Sequence, residues 1–415
     1  MHALVFEDHR VDRLGVLTTA RPACDLTIGA TTLHDALAAF GGVERILRPH
    51  LAAYLAALAG RRVALWGGGG DAPPAAPVST HGAVALLVNS RVIPSRENLA
   101  TLRGLVEAGR RTILHHGDVI TAAVLHVSAS GGSADDEAVA LLRAEGGGAV
   151  SAVRDLDLPT ADCELRLLDE AHEIVAAHEQ ALEGSLAMKL DSGKFRETKP
   201  GLFAAEGARI AAEVVVRQGP VVVAAGAEIG PFVCLDGPVW IGPRARVNPH
   251  AWLRAGTALG AECRAGGEIE ASVMEPFSNK PHDGFLGHSH VGSWVNLAAG
   301  TITSNLKATY GPVRLHEPQP DGSRTTIDTG RQFFGALVGD LVKTAINTSL
   351  PCGARIGLAA TVQCTVADVV PAFANDLLGG RSTAEQAATA LQRMMARRGL
   401  ELLDADRGLL AVLAG

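Results

Sequence analysis

A six-residue period in the second half of the chain constrains the fold more than any other feature. Aliphatic residues recur at six consecutive positions spaced six residues apart, and the period resumes twice after interruptions. The positions are Ile229, Leu235, Ile241, Val247, Leu253 and Leu259, then Val291 and Leu297, then Val338, Thr344, Leu350, Ile356 and Val362. A period of six fits neither the 3.6 of an α-helix nor the 2 of an alternating strand, but it is typical of a parallel β-helix built from hexapeptides. Because one coil cannot bury its own apolar face, the coils should stack into one solenoid.

Two segments depart from the period. Residues 308–331 are polar and contain Pro and Gly, so we expect a loop or hairpin that projects from the coils. Near the end of the chain, Ser382 and Glu385 fit a capping box. An apolar stripe follows at Leu391, Met394 and Met395. Residues 381–415 are therefore predicted to be a helical segment of the kind that closes the open end of a solenoid.

The first half has a different pattern, in which short apolar runs alternate with stretches of helical spacing. Three runs are predicted to be buried strands: residues 61–67, 83–90 and 110–117. The stretches "LHDALAAFGGVERIL" and "ENLATLRGLVEAG" are predicted to be helical. This alternation indicates an α/β domain with a mainly parallel sheet. The polar stretch 191–201 makes a boundary, which gives domains at 1–195, 205–375 and 381–415.

Charge and cysteine content exclude several classes of function. The net charge of −7 is spread without a long block of one sign, so we expect no nucleic-acid or membrane partner. Six scattered cysteines without a C-x-x-C pair indicate reduced thiols. The N-terminus does not fit a signal peptide, and no run of about 18 apolar residues occurs. The expected location is the cytoplasm.

The stretch "HDGFLGHSHVGSWVNLAAGTITSN" (282–305) carries the most specific motif of the chain. It resembles the acetyltransferase half of the bifunctional family that makes UDP-N-acetylglucosamine. The family pattern is matched at His282, Phe285, Leu286, Gly287, Asn296, Ala298, Gly300, Thr301, Thr303 and Asn305. The resemblance covers about residues 205–370. Further blocks at 17–33, 88–94, 278–287, 329–335, 339–348 and 394–402 resemble, in the same order, a divergent branch of that family.

The resemblance implies a fold and a chemistry. The fold would be an α/β nucleotidyltransferase-like (Rossmann-like) domain, then a left-handed parallel β-helix, then a C-terminal helix. The β-helix would be an acyltransferase that uses acetyl-CoA as donor and an amino-sugar phosphate as acceptor. His282 would be its general base, because an imidazole with a pKa near neutrality can take a proton from the attacking amine. Since donor sites in this superfamily lie between subunits, the resemblance also implies a homotrimer.

Other residues of the motif would bind the ligands. Asn305 resembles a residue that contacts both donor and substrate, Asn296 a substrate contact, and Ala299 a position whose backbone faces the thioester. Arg254 resembles an arginine that holds the sugar phosphate. Phe285 stands at the aromatic position of the substrate site. Lys280 and Lys343 would add positive charge, whereas Glu270 occupies the region where the family carries a substrate-binding lysine.

His288 and His290 leave two interpretations open. With His282 they could imitate the zinc sites of β-helix carbonic anhydrases. They share one face only if the segment is a strand, and no further acid or histidine pattern accompanies them. The alternative, which we favour, is a pair of solvated histidines near an acidic group or a phosphate, with no metal bound.

The N-terminal domain keeps part of a second motif. Thr18, Thr19, Arg21 and Pro22 form a T-x-x-R-P element that resembles the end of the phosphate-binding loop of sugar nucleotidyltransferases, without its lysine. Asn89 falls near the first of two aspartates that hold Mg²⁺ in that family. The resemblance implies nucleotide binding at Thr18, Thr19, Arg21 and Asn89, with Mg²⁺ needed only if the domain is active.

Three hypotheses follow from these observations. The leading one is an enzyme of nucleotide-sugar metabolism, in which an N-acetyltransferase is joined to a nucleotidyltransferase-like domain. The second is a sugar-1-phosphate nucleotidyltransferase whose β-helix only trimerises it. The third is a non-catalytic scaffold that binds sugar nucleotides. All three expect sugar-phosphate, nucleotide or CoA ligands, and the sequence leaves the choice among them open.

Overall fold

The N-terminal part of the molecule is an α/β domain. The structure is a computed structural model that describes residues 2–58, 83–128, 131–162, 165–318 and 321–415. In these residues a six-stranded sheet has the order β2-β1-β3-β5-β4-β6. The strands are β1 (His2–Phe6), β2 (Gly42–Ile46), β3 (Ala83–Asn89), β4 (Thr112–His116), β5 (Val119–Val127) and β6 (Thr160–Asp162). The predicted strands at 83–90 and 110–117 are confirmed, and the one at 61–67 lies outside the described residues.

The sheet is mainly parallel, as predicted, because five of its six described strands run in the same direction and β5 alone runs against them. β1 pairs in parallel with β2 and β3, and β4 pairs in parallel with β6. β5 is antiparallel to both β3 and β4. The reason is local, because only Gly117 and Asp118 separate β4 from β5, and a two-residue connection can join only antiparallel strands.

Helices cover the sheet, and local sequence signals mark the ends of α3. They are α1 (Leu33–Ala38), α2 (Pro49–Leu58), α3 (Arg96–Ala108), α4 (Ala134–Glu145), α5 (Val150–Arg154) and α6 (Glu173–Asp191). Short 3₁₀ segments span His9–Leu17, Ala23–Asp25 and Gly146–Ala149. α3 matches its prediction, with a Ser95 cap and a left-handed Gly109 at its ends. The helix predicted through "LHDALAAFGGVERIL" is wrong in its second half, because the chain turns at Gly41 and continues as β2.

The predicted parallel β-helix is confirmed. Its coils have three faces, and strands pair in parallel with their equivalents one coil away. The first face contains Leu202–Ala205, Val221–Val223, Val239–Ile241, Thr257–Leu259, Val273–Met274, His290–Val291, Ala336–Val338, Ala354–Ile356 and Val369–Val370. The second contains Arg209–Ile210, Glu228–Ile229, Arg246–Val247, Arg264–Ala265, Asn279–Lys280, Lys343–Thr344, Thr361–Val362 and Ala374–Asn375, the last of which pairs antiparallel with Gly380–Arg381. The third contains Val215–Gln218, Cys234–Asp236, Trp252–Leu253, Glu268–Glu270, Phe285–Gly287, Ile302–Thr303 and Ser349–Leu350.

The periodic residues point into the prism, as the period predicts. Each of them is buried, and all except Thr344 belong to one continuous apolar core. The stretch 191–201, interpreted as a polar boundary, contains the strand Phe195–Lys199, which pairs antiparallel with Leu202–Ala205 at the edge of the first face. The passage from one domain to the other is therefore hydrogen-bonded to the β-helix.

The segment that interrupts the period is a hairpin, as expected. Arg314–Pro318 pairs antiparallel with Arg324–Asp328. At its base, Val313 and Leu315 join a cluster that includes Ile174 and Val175 of α6. The hairpin thus folds back onto the N-terminal domain.

The C-terminal segment consists of α7 (Ala384–Ala396) and α8 (Asp404–Ala414). The capping box of α7 is formed by Thr383 and Gln386, one residue later than Ser382 and Glu385. Both helices and α2 pack against outward residues at successive coil corners, among them Trp294, Leu341 and Phe373. These helices therefore cover a side of the solenoid, whereas the sequence predicted that they close its end. None of the described helices combines the length and apolar composition that crossing a membrane requires.

The two domains share a core. Leu182 and Leu186 of α6 pack with Val222, Trp240 and Ala258 on the outer side of the first face. Because apolar side chains of both domains are buried together, the N-terminal domain is held directly against the coils.

Candidate functional site

His282 lies in a turn that connects the second face to the third. The turn follows Asn279–Lys280 and precedes Phe285–Gly287. The His282 side chain is exposed, while its backbone carbonyl accepts a hydrogen bond from the Lys280 ammonium at 3.1 Å. An imidazole in this position is reachable by a substrate from solvent.

Lys280 lies beneath that turn, inside the prism. Its register partner on the neighbouring strand is Ala265 of the apolar core, and its side chain is 1% exposed. The ammonium also donates to the carbonyl of Gly266 at 3.2 Å. Burial lowers the pKa of Lys280 to about 8, against the opposing effect of Asp283. The positive charge of Lys280 is thus directed at the backbone of the His282 turn.

Asn305 and His288 form a pair at the other edge of the third face. The Asn305 Nδ2 amide donates to His288 Nδ1 at 2.9 Å, so the neutral imidazole carries its proton on Nε2. Burial, together with Arg331 and Arg254, lowers the pKa of His288 to about 4 and keeps the ring neutral. Phe333 stacks on the ring with 5.3 Å between centroids.

Glu179 of α6 completes this cluster from the N-terminal domain. Its carboxylate lies 3.8 Å from His288 Nε2 and pairs with Arg331. His290, by contrast, is buried on the first face, where its Nε2 lies 3.2 Å from Glu275. Neither His288 nor His290 is the solvated histidine that the sequence suggested. Within the described residues, no group of three or more His, Cys, Asp or Glu side chains could hold a metal ion.

Arg254 is held by two carboxylates on the third face. Its Nη1 atom donates to Glu268 at 3.0 Å and to Glu270 at 2.7 Å, and its guanidinium lies 5.0 Å from the centre of the Trp252 ring. Burial raises the pKa of Glu270, although Arg254 acts against this. The glutamate that replaces the family's lysine therefore neutralises the arginine expected to bind phosphate.

The remaining acyltransferase candidates are distributed over two faces. Phe285 is half-buried on the third face next to Gly287. Asn296 is exposed on the second face, bridged to Lys343 of the next coil. The Lys343 ammonium donates to a backbone carbonyl at 3.0 Å, and burial lowers its pKa to about 8. Ala299 lies half-buried in the turn between the two faces.

Arg21 of the T-x-x-R-P element is completely enclosed between the domains. Its guanidinium is 1% exposed and pairs with Glu275 at 2.9 Å and Asp340 at 2.8 Å, both from the β-helix. It also donates to Ser293 at 2.6 Å. Burial would raise the pKa of Glu275, but Arg21 and His290 lower it to about 2. We call Arg21, Glu275 and Asp340 the interdomain latch; its acidic members carried no signal in the sequence.

The side chains of the other nucleotide-binding candidates already make hydrogen bonds within the N-terminal domain. Thr18 and Thr19 donate to backbone carbonyls of their own segment at 3.4 and 3.3 Å. Asn89 donates to Asp8 at 2.9 Å, and Asp8 pairs with Arg91 at 2.9 Å. Burial acts to raise the pKa of Asp8, but the bonds from Arg91 outweigh it and lower that pKa. These residues lie at or beyond the carboxyl ends of β1 and β3, where open α/β sheets usually bind ligands.

One cleft was not foreseen from the sequence. It has a volume of about 630 Å³ and lies between the start of α6 and the base of the hairpin. Its lining includes Arg166, Asp169, His172 and Arg331. No single stretch of sequence could have indicated it, because the lining residues come from four separate segments.

Comparisons with known proteins agree with both motifs. Residues 3–189 match the family model of a sugar nucleotidyl transferase. The chain is 35% identical over 118 residues to the "Bifunctional protein GlmU" of Methanococcus vannielii, covering 28% of this chain and 26% of that protein. It is 33% identical over 147 residues to the "Bifunctional sugar-1-phosphate nucleotidylyltransferase/acetyltransferase" of Sulfurisphaera tokodaii, covering 35% of each. The predicted resemblance is thereby confirmed.

The matches are partial, however. The chain spans about a quarter of the length of the first curated relatives that it matches. Among solved structures, AntD, an N-acyltransferase from Bacillus cereus in complex with dTDP and coenzyme A, is 14% identical with a TM-score of 0.20, over 41% of this chain and 77% of that one. A likeness at this score says nothing about the chemistry of this chain.

Proposed function

We propose that the β-helix is a CoA-dependent N-acetyltransferase for an amino-sugar phosphate, with His282 as general base. The exposed imidazole, on a turn that Lys280 holds from inside the coil, is the observation that carries this proposal. His282 takes a proton from the acceptor amine as its nitrogen attacks the thioester carbonyl. The C–N bond forms, the C–S bond breaks, and the CoA sulfur leaves as a thiolate that recovers a proton from the imidazolium or from water.

The positions of the candidates favour an assembly of several copies. His282 and Ala299 lie in turns between the second and third faces, whereas Asn305 lies at the opposite edge of the third face. If the two edges came from different copies, one substrate could touch His282 of one copy and Asn305 of the other. This supports the homotrimer that the resemblance implies, with the donor bound between neighbouring subunits.

The acceptor contacts differ from the family pattern. Arg254 shares its Nη1 atom between Glu268 and Glu270, so a phosphate bound to this guanidinium would lie beside two carboxylates. Glu270 offers a carboxylate that would instead attract the ammonium of the unreacted amino sugar. We therefore propose an amino-sugar acceptor whose phosphate is held by other cations than Arg254.

For the N-terminal domain, we infer a structural role for the T-x-x-R-P element. The donors of Arg21 are used by the latch, and Asn89 is bonded to an aspartate that already pairs with Arg91. These residues do not fit a Mg²⁺ site, because the Asn89 amide points its NH₂ group at the carboxylate that a cation would need. Nucleotidyl transfer at this position is not supported by the geometry.

The test compares two reactions on the full chain. Acetyl-CoA with glucosamine-1-phosphate is followed by free thiol, and sugar-1-phosphates with NTPs and Mg²⁺ by pyrophosphate. Thiol release that His282→Asn reduces by about 10²–10⁴-fold supports the proposal. His250→Asn is the matched control, because His250 is also exposed at a coil corner. Pyrophosphate alone would support the nucleotidyltransferase hypothesis, and silence in both assays over a broad panel of sugars would support the scaffold.

A further inference from the structure

A groove on the N-terminal domain takes no part in the roles described above. It lies between α1, the first half of α3 and the end of α6, and its volume is about 760 Å³. The apolar part of its lining includes Phe40, Leu99, Met188 and Phe195. Pockets of about 300–1,000 Å³ with mainly apolar walls are typical of sites for small organic ligands. We call it the α1–α3–α6 groove.

Cations surround the apolar lining of this groove. Arg96, Arg103, Lys189 and Lys194 all line it, against the single carboxylate of Asp191. In the part of the chain that the structure describes, none of these four cations lies within 4 Å of a carboxylate. The unpaired charges create a positive potential over an apolar surface, which attracts a ligand that is anionic at one end.

Two of the cations are held in place by aromatic rings. The Arg103 guanidinium lies 5.5 Å from the centre of the Phe40 ring. The Lys189 ammonium lies 4.4 Å from the centre of the Trp240 ring, and burial lowers its pKa against the effect of Asp35. Because these side chains are already ordered on rings, a ligand loses less free energy in fixing them.

A buried hydroxyl in the groove wall also lacks a partner. Ser185 of α6 is 1% exposed, and its Oγ atom makes no hydrogen bond in the described structure. A buried polar group without a partner is costly, and an ordered water or a ligand group can complete it. Ser185 lines the same groove as the four cations.

We propose that the α1–α3–α6 groove binds a nucleoside phosphate. The flat base and the ribose lie against the apolar lining near Phe40, and the phosphates lie among Arg96, Arg103 and Lys194. Arginine suits this position because its forked donors match phosphate oxygens. The groove shares no residue with the T-x-x-R-P element, with Asn89 or with the acyltransferase candidates, so it is a separate site.

Calorimetric titration of the full chain tests this proposal with three probes: ADP, UDP and inorganic pyrophosphate. We expect a nucleotide to bind at least tenfold more tightly than pyrophosphate, because pyrophosphate cannot use the apolar lining. Equal affinity for pyrophosphate, or no binding of either nucleotide, would overturn the proposal.

Charge reversal then locates the site. Arg96→Glu and Arg103→Glu should each weaken nucleotide binding at least tenfold; both side chains are exposed, so the fold should tolerate the changes. Arg110→Glu, an exposed arginine just beyond α3 and outside the groove, is the matched control and should change nothing. His282→Asn should leave nucleotide binding intact even if it abolishes acetyl transfer. Binding that survives reversal of Arg96 and Arg103 would refute the assignment.

Discussion

Replacing Arg21 by methionine would test the interdomain latch directly. Methionine retains most of the side-chain length but removes the charge that Glu275 and Asp340 share. Both carboxylates are almost completely buried, at 1% and 4% exposure, so neither can be solvated in place. Removing one partner of a buried ion pair costs about 3–5 kcal/mol, because the remaining charge is uncompensated. We expect Arg21→Met to lower the free energy of unfolding by about this amount.

Urea unfolding measured at pH 7 gives that free energy from the midpoint and slope. The matched control is Arg143→Met, which breaks a two-bond pair with Glu44 at the protein surface. Since partly exposed pairs contribute about 1 kcal/mol or less, the control should lose little stability. Adding Glu275→Gln and Asp340→Asn to Arg21→Met should restore part of the loss, because buried amides are less costly than buried unpaired charges.

The competing interpretation makes a different prediction. If Arg21 were a nucleotide ligand, its replacement would abolish nucleotide binding and leave the stability close to that of the control. A loss of stability no greater than that of Arg143→Met would refute the latch. A loss that the additional amide substitutions do not reduce would show that the carboxylates are not the cause.

Three further predictions follow from the same contacts. The pKa of Glu275 is lowered from 4.5 to about 2, so its contribution to stability is complete above pH 4.5 and is lost as the pH falls toward 2. In the variant Glu275→Gln, the melting temperature should therefore change less with pH in that range. A melting temperature that depends on pH as steeply as in the unmodified protein would contradict this. Lys280→Met removes the donor beneath the His282 turn and should lower kcat of thiol release by about 10–100-fold with little change in KM; an equal rise of KM would argue against a positioning role. Leu253→Ala should destabilise the coils by about 2–5 kcal/mol in urea unfolding, whereas the half-exposed Val215 should tolerate alanine.

The β-helix could be predicted because its determinants are local. A residue such as Leu253 is buried by neighbours that repeat the same six-residue pattern, so the pattern itself reports the contact. The exposed position of His282 did not follow from the pattern, because its turn lies in the interruption of the period between Leu259 and Val291. The strand Gly42–Ile46 could not be predicted either, because its place in the sheet depends on pairing with His2–Phe6 far back in the chain.

The role of Arg21 was beyond sequence reasoning for a related reason. Its motif resembles a phosphate-binding element, but its partner Asp340 is 319 residues away. The same guanidinium chemistry that binds phosphate also binds buried carboxylates, and only the three-dimensional arrangement distinguishes the two. The environment of His288 could not be predicted either, because it depends on Glu179 from the other domain.

The contact between the domains gives the N-terminal domain a structural role that does not depend on nucleotidyl transfer. Leu182 and Leu186 cover Val222, Trp240 and Ala258, which would otherwise form an exposed apolar patch on the first face. Patches of this kind favour aggregation of an isolated solenoid. The interdomain latch then fixes the orientation of the two domains. Buried ion pairs require a defined geometry, whereas apolar contact alone would let one domain slide over the other. Selection on the stability of the coils would thus be sufficient to keep the α/β domain and its arginine.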